Sequence, residues 1–204
     1  MPLFYQHNIN HSAKLAIWHI MENEDFFLDK VPLQNDITHW HKRLQHLAGR
    51  YLLQELYPDF PYHLIEIADT RKPFLPDEKY HFSISHCGDY AAVIVSEEIR
   101  VGIDIELVTP KVDLIKHKFL DEEEMLLVQK NNLQHLTLLW NCKEAVFKWY
   151  GNGGLDFKKN IVIEKISIND DHGIVDCLFI KEEEKRLRVN FNFFDKLSLA
   201  WIAW

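Results

Sequence analysis

The sequence predicts an α+β fold of two pseudo-duplicated lobes, each a long helix packed on an antiparallel sheet, with the active cleft between the lobes. Each half of the chain runs from a helical segment to a turn marked by Gly or Pro and then into several strands. The string LQHL occurs in both long helices, at 44–47 and 133–136. Because so short a string can match by chance, the repeated order of elements is the stronger sign of duplication. The predicted lobes are residues 1–107 and 108–204.

Size and charge limit the possible functions. With 204 residues, 47% of them hydrophobic, the chain can bury one large core or two small ones. A net charge of −8 disfavours a nucleic-acid partner, because phosphate binding depends on clustered Lys and Arg. No apolar run approaches the roughly 20 residues of a membrane span. The N-terminus lacks the pattern of a signal peptide, so we expect no membrane association.

The cysteines also indicate the compartment. Cys87, Cys142 and Cys177 are scattered along the chain and form no CxxC pair. This distribution argues against a disulfide framework and against structural zinc. We therefore expect a cytoplasmic protein.

In the first half, residues 3–31 resemble one or two strands with a connection, most clearly at 15–20. Asp36 is the predicted N-cap of a helix over 37–57 that Pro58 ends. The helix carries apolar residues at helical spacing, namely Trp40, Leu44, Leu47, Tyr51, Leu52 and Leu53. Arg43 and Arg50 lie on one face of it, which taken alone is interpreted as a solvated basic edge.

A short alternating strand is predicted at 64–68, and a three-stranded antiparallel meander at 81–86, 90–96 and 101–106. In its first strand, Phe82 and Ile84 face one side, and Ser83 and Ser85 face the other. In its last strand, Asp104 and Glu106 share the face opposite Val101, Ile103 and Ile105.

In the second half, Asp121 is predicted to cap one helix, and a second helix is predicted over 133–150. Gly151 and the glycines that follow it end the second helix. Strands are predicted at 160–168, 176–181, 187–194 and 197–204.

Two acidic positions on one strand face are suited to a metal. Asp104 and Glu106 can present hard oxygen ligands to the same side, and Mg²⁺ prefers one or two carboxylates with water and phosphate oxygens. An isolated D-x-E is a weak signal, because the solvent faces of strands often carry acids.

On the second long helix, Glu144 and Lys148 have the spacing of an ordinary helix ion pair. With Trp140 on the same face, they can also serve phosphate chemistry, Glu144 as ligand or base and Lys148 as counter-charge.

Ser85 and His86 stand at the end of a strand, where they can contact a phosphate; the alternative for His86 is a hydrogen-bonded loop histidine. No G-x-S-x-G elbow is present, so we do not expect a nucleophile here. Neither a Walker loop nor a Rossmann glycine pattern occurs.

Together these segments resemble a known family. KP at 72–73, FSISHCGD at 82–89, VGIDIE at 101–106 and WNCKEAVFKWYGNG at 140–153 have the order and spacing seen in the 4′-phosphopantetheinyl transferases. The resemblance covers about residues 40–160 and is closest to the monomeric, two-lobed type that activates carrier proteins. Arg71 stands where the family usually has Gly before Lys-Pro.

The resemblance implies roles for individual residues. Mg²⁺ would be held by Asp104, Glu106 and Glu144, and Glu144 and Lys148 would act in catalysis. The residues that would bind coenzyme A are Arg43, Lys72, Pro73, Ser85, His86 and Lys148. The implied reaction moves the 4′-phosphopantetheine arm of coenzyme A to a serine of an apo acyl or peptidyl carrier protein and releases 3′,5′-ADP. The alternatives are a metal-dependent phosphohydrolase and a non-catalytic module that binds coenzyme A or a carrier protein.

Overall fold

The computed structural model describes residues 2–31, 33, 37–129 and 132–204. The described residues form two compact units, one from those within 1–101 together with Ala203 and one from those within 102–202 together with Trp204. Each unit combines helices with antiparallel strand pairs, which confirms the predicted α+β class. The predicted duplication and cleft stay predictions. Among the described residues, none of the helices combines the length and the apolar character needed to cross a bilayer.

The first unit is a helix packed on a four-stranded sheet with the order β1-β2-β6-β5. A separate short pair joins β3 to β4. Leu47 and Leu52 of its long helix share one buried core with Ala16, Trp18 and Val93 of the sheet. Its elements are β1 (Leu3–Asn8), β2 (Ala13–His19), α1 (Glu24–Leu28), α2 (Trp40–Leu56), a 3-10 turn (Tyr62–Leu64), β3 (Glu66–Ile67), β4 (Pro73–Phe74), β5 (His81–Cys87) and β6 (Tyr90–Ser96).

The second unit has a five-stranded sheet with the order β7-β11-β10-β9-β8. Its long helix shares a core with the sheet through Leu139, Val146, Val189 and Phe191. Its elements are β7 (Val101–Leu107), α3 (Lys111–Phe119), α4 (Glu122–Leu127), α5 (Leu133–Tyr150), α6 (Phe157–Asn160), β8 (Ile161–Asn169), β9 (His172–Ile180), β10 (Glu184–Phe194) and β11 (Leu197–Ala203).

The predicted three-stranded meander is wrong in its last strand. β5 and β6 pair as an antiparallel hairpin, but β7 is hydrogen-bonded to β11 in the other sheet. Alternation along the sequence identifies a strand, whereas the choice of partner depends on residues almost a hundred positions away. The two compact units divide between Val101 and Gly102, and the predicted domain boundary after residue 107 stays a prediction.

The start of α2 also differs from the prediction. Asp36, its predicted N-cap, lies outside the described residues, and the helix begins at Trp40 with His39 as the N-cap. Trp40 does not join the core, since it is 65% exposed at the first turn. The short helices α1, α3 and α6 were not predicted, because a few residues carry too little helical periodicity.

By contrast, the ends of α5 match the prediction. Asn132 accepts a hydrogen bond from the backbone nitrogen of His135 at the start of the helix, and Gly151 ends it with φ 77°. Asp121 caps α4 as predicted, in a reciprocal pair of hydrogen bonds with Glu124.

Gly102 lies where β7 meets α5. A Cβ atom at this position would lie 2.1 Å from the carbonyl oxygen of Ala145 and 2.7 Å from the backbone nitrogen of Trp149. Both are backbone atoms inside a helix, so they cannot move aside as a flexible side chain can. Glycine at this position therefore allows α5 to lie directly on β7.

We expect Gly102→Ala to lower the free energy of unfolding by about 3 kcal/mol, because the added methyl group overlaps helix backbone. Gly49→Ala is the matched control. Its Cβ would meet only one side-chain methyl group, Cγ2 of Ile84 at 2.8 Å, and alanine favours the helix over glycine by about 1 kcal/mol, so we expect a smaller loss than at Gly102. Chemical denaturation of both variants measures the difference. Equal losses of unfolding free energy in the two variants would contradict the proposed overlap with helix backbone at Gly102.

Candidate active site

Four charged side chains meet where β7 packs on α5. Asp104 and Glu106 extend from one face of the strand, and Glu144 and Lys148 from successive turns of the helix. Lys148 Nζ lies 2.7 Å from Asp104 Oδ1, and the Asp104 side chain is almost fully buried. The lysine therefore pairs with the strand, whereas its spacing from Glu144 had also allowed an ordinary helix ion pair.

Trp140 orients the second strand carboxylate. Glu106 receives a hydrogen bond from Trp140, whose indole group can only donate. The indole ring packs at 5.1 Å from Phe119 and 5.7 Å from Phe157, between ring centroids. The predicted line of Trp140, Glu144 and Lys148 on one helix face thus lies beside the strand carboxylates.

The site has more negative than positive charge. Burial, followed by the charge of Asp104, raises the pKa of Glu144 to about 7, although Lys148 opposes the shift. The same two causes raise the pKa of Glu106 to about 7, against Lys148 and the Trp140 hydrogen bond. Three carboxylates with one lysine form a site that attracts a further cation.

The donor set suits Mg²⁺ in its chemistry. Carboxylate oxygens are the hard ligands that Mg²⁺ takes, and the raised pKa values show that a cation would relieve repulsion here. Within the described part of the chain, no group of at least three His, Cys, Asp or Glu residues is arranged to hold a metal. Mg²⁺ usually needs only one or two carboxylates besides water and substrate phosphates, so Asp104 and Glu106 fit this mode.

Lys143, which directly precedes Glu144, lies in a different environment from Lys148. Its Nζ lies 2.6 Å from Glu124 Oε1 and donates to the carbonyl oxygen of Phe157 at 2.9 Å, with both charged side chains fully buried. Glu124 Oε1 also accepts a hydrogen bond from the backbone nitrogen of Ile163. This network ties α4, α5 and β8 together, so Lys143 stabilises the fold while Glu144 and Lys148 face the site.

In the first unit, two contacts hold the β5–β6 turn against α2. Gln45 Nε2 donates to the carbonyl oxygen of Gly88 at 2.8 Å, and His41 Nε2 lies 3.0 Å from Asp89 Oδ1. Ser85 is buried and His86 is exposed at the end of β5, next to this turn. The structure thus places the predicted Ser-His pair beside α2.

Arg50 is the residue whose environment the sequence did not reveal. It lies on the same face of α2 as Arg43, but it is only 5% exposed, so the predicted solvated edge is wrong at this position. Its Nη1 donates to His46 Nδ1 at 3.1 Å, and burial lowers its pKa to about 10. Arg43 forms an ion pair with Glu24. Periodicity identified the shared face, whereas burial depends on how closely β5 approaches.

Lys72 and Pro73 lie at the start of β4. Burial and the nearby charge of Arg100 lower the pKa of Lys72 to about 8. The preceding residue, Arg71, has φ 65°, in the left-handed region that favours glycine. This backbone geometry explains physically why glycine is usual before Lys-Pro in the family that the chain resembles.

Comparisons with known proteins indicate one superfamily. Residues 100–199 match the model of the 4′-phosphopantetheinyl transferase superfamily. Enterobactin synthase component D of Salmonella austin is 30% identical over 115 residues, or 54% of this chain and 49% of that protein. The 4′-phosphopantetheinyl transferase AcpT of Escherichia coli (strain K12) is 32% identical over 116 residues, or 54% of this chain and 59% of that protein.

A mammalian protein matches more of the chain. The L-aminoadipate-semialdehyde dehydrogenase-phosphopantetheinyl transferase of Mus musculus is 29% identical over 167 residues, or 69% of this chain and 54% of that protein. The chain spans about half the length of the curated relatives it matches. The family-model match contains Asp104, Glu106, Glu144 and Lys148.

We expect Glu144→Gln to become more stable than the wild type as the pH rises. A carboxyl group whose pKa is raised by folding keeps its proton in the folded state between about pH 4.5 and 7, so rising pH through this window removes stability. Glutamine stays neutral, and its advantage should grow from near zero at pH 5 to about 2 kcal/mol at pH 8. Urea unfolding at both pH values measures it. An advantage that does not change with pH would contradict the raised pKa.

We expect Lys143→Met to lower the free energy of unfolding by about 3–5 kcal/mol, because it leaves the Glu124 carboxylate buried without its partner. The double variant with Glu124→Gln should recover part of this loss. Lys116→Met is the control, since the exposed Lys116–Asp113 pair contributes less than about 1 kcal/mol. Similar losses in the two single variants would show that burial of the Lys143 pair has no special effect.

Proposed function

Because residues 100–199 of this chain belong to the 4′-phosphopantetheinyl transferase superfamily, we propose that the protein transfers the 4′-phosphopantetheine arm of coenzyme A to a serine of an apo acyl or peptidyl carrier protein. The other product is 3′,5′-ADP. The observation that carries the proposal is the meeting of Asp104, Glu106, Glu144 and Lys148 where α5 lies on β7.

Glu144 is the proposed general base. With a pKa of about 7, it is substantially deprotonated at neutral pH and still basic enough to accept a proton. It takes the proton of the carrier serine as the serine oxygen bonds to the β-phosphorus of coenzyme A. The bond from that phosphorus to the bridging oxygen breaks, and its electron pair leaves with 3′,5′-ADP.

Lys148 is the proposed counter-charge for the reacting phosphates. Its ammonium group is partly exposed while its partner Asp104 is buried, so it can contact a ligand without leaving the pair. A fixed positive charge in a partly buried site stabilises negative charge that develops in the transition state.

Asp104 and Glu106 are the residues that would hold Mg²⁺, and Glu144 stays the predicted third ligand. When bound, the ion would polarise the pyrophosphate and neutralise part of its charge. The carboxylate repulsion described above supports this assignment.

The first unit supplies the proposed residues for the other phosphate and the nucleotide. Arg43, Lys72, Pro73, Ser85 and His86 keep the assignments that the sequence predicted. Arg50 joins this set, because its buried charge needs an anion.

The nucleophile is proposed to come from the carrier protein. Cys142 and Cys177 are fully buried, and burial raises the pKa of each thiol. Neither can act as a surface nucleophile. Direct transfer to a partner's serine therefore fits the chain better than a covalent intermediate on one of these cysteines. The expected monomeric state and cytoplasmic location stay predictions.

The direct test mixes the protein with coenzyme A, Mg²⁺ and several apo carrier proteins and weighs each carrier by mass spectrometry. We expect the mass of a phosphopantetheine group to be added to at least one of them. Coenzyme A binding without any added mass would favour the non-catalytic module, and release of phosphate without a carrier would favour the phosphohydrolase.

Glu144→Gln should lower the transfer rate by a factor of about 100 or more, since general bases commonly contribute that much. Glu123→Gln changes the same group at an exposed position on α4 and should leave the rate unchanged. Because Glu144→Gln is expected to be at least as stable as the wild type, loss of transfer cannot be ascribed to unfolding. Full activity in this variant would remove Glu144 from the mechanism.

A further inference from the structure

One face of α2 carries three buried nitrogen atoms that have no hydrogen-bond partner among the described residues. They are Nε of Arg43, Nε2 of His46 and Nε of Arg50. The residues follow at helical spacing, so the atoms lie along one face within about 10 Å of helix axis. A buried polar group without a partner is destabilising. Three of them on one face indicate a place for a ligand with acceptor oxygens.

The contact between His46 and Arg50 fixes the chemical state of the imidazole. A guanidinium group has only donors, so His46 Nδ1 must accept at the 3.1 Å contact with Arg50 Nη1. The neutral ring then carries its proton on Nε2. Burial and the charges of Arg50 and His86 lower the pKa of His46 to about 4, which keeps the ring neutral at pH 7. His46 therefore presents a buried Nε2–H donor.

The charge around this donor is positive. Arg43 is paired with Glu24, but no Asp or Glu of the described residues forms an ion pair with Arg50. A buried guanidinium without a carboxylate is unfavourable unless an anion binds it. His86 adds a further imidazole from the end of β5. Donors and charge both point to a phosphate rather than to a neutral acceptor.

We propose that His46 is a phosphate-binding residue that donates from Nε2 while its Nδ1 holds the guanidinium of Arg50 in place. The ligand class is a phosphate monoester dianion. This inference rests on the proposed function, in which coenzyme A offers such a group as its 3′-phosphate. Free inorganic phosphate has the same chemistry and is the other source.

Isothermal titration with coenzyme A, dephospho-coenzyme A and inorganic phosphate distinguishes these sources. We expect the wild type to bind coenzyme A at least about tenfold more tightly than dephospho-coenzyme A, the effect of one charge-assisted hydrogen bond or more. His46→Leu should remove most of this preference and leave the affinity for dephospho-coenzyme A unchanged. His46→Gln, which keeps a donor near the Nε2 position, should restore part of it. His63→Leu makes the same change at an exposed histidine and should have no effect.

An unchanged preference in both His46 variants overturns the inference without affecting the proposed transferase function. If His46→Leu does not fold, the coenzyme A preference of His46→Gln and the nitrogen-15 chemical shifts of His46 in the wild type test the inference instead. A ring protonated on Nδ1 would overturn the inference as well. Failure to bind either form of coenzyme A would contradict the proposed function instead. In that case, phosphate binding by the wild type but not by His46→Leu still supports the site, and no phosphate binding overturns it.

Discussion

The direct contact between α5 and β7 is the constraint on which the second unit depends. Gly102 touches the helix at Ala145 and Trp149. Glu144 directly precedes Ala145, and Lys148 directly precedes Trp149. Asp104 lies two residues after Gly102, on the same face of the strand. The contact that requires glycine therefore also sets the register of the three charged side chains. A side chain at this position would separate the helix from the strand and the charges from one another.

The two lysines of the K-E-A-x-x-K segment show how burial separates structure from function. Lys143 and Glu124 satisfy each other's charge and have further hydrogen bonds to backbone atoms. The partners of both side chains lie within the protein, so this network leaves no charge for a ligand to compensate. Lys148 instead shares its charge with a set of carboxylates that it does not fully compensate, as the raised pKa of Glu144 shows. Incomplete compensation near a surface is typical of functional sites, whereas complete compensation is typical of a core.

Local signals made much of the chain predictable. The end of α5 followed from Gly151, a left-handed glycine that acts within a few residues, and its start followed from helical periodicity. The partner of β7 could not be predicted from the turn EEIR at 97–100 that precedes it. Such a turn can join the strands of a hairpin, and it can equally lead the chain from one sheet to another. The motifs also contained the four charged residues that the structure brings together on β7 and α5, and the roles of these residues stay predictions. The burial of Arg50 was not, since the sequence spacing gives its face and not its distance from β5.

The first unit has its own close approach, and it has an electrostatic consequence. Gly49 brings α2 so near β5 that an added Cβ would lie 2.8 Å from Ile84 Cγ2. Arg50 adjoins this glycine and His86 lies two residues beyond Ile84, and the charges of both act on His46. The result is an excess of positive charge around α2, whereas the site on β7 and α5 has an excess of negative charge. Under the proposed function, a phosphate would compensate the positive charge and a divalent cation the negative charge.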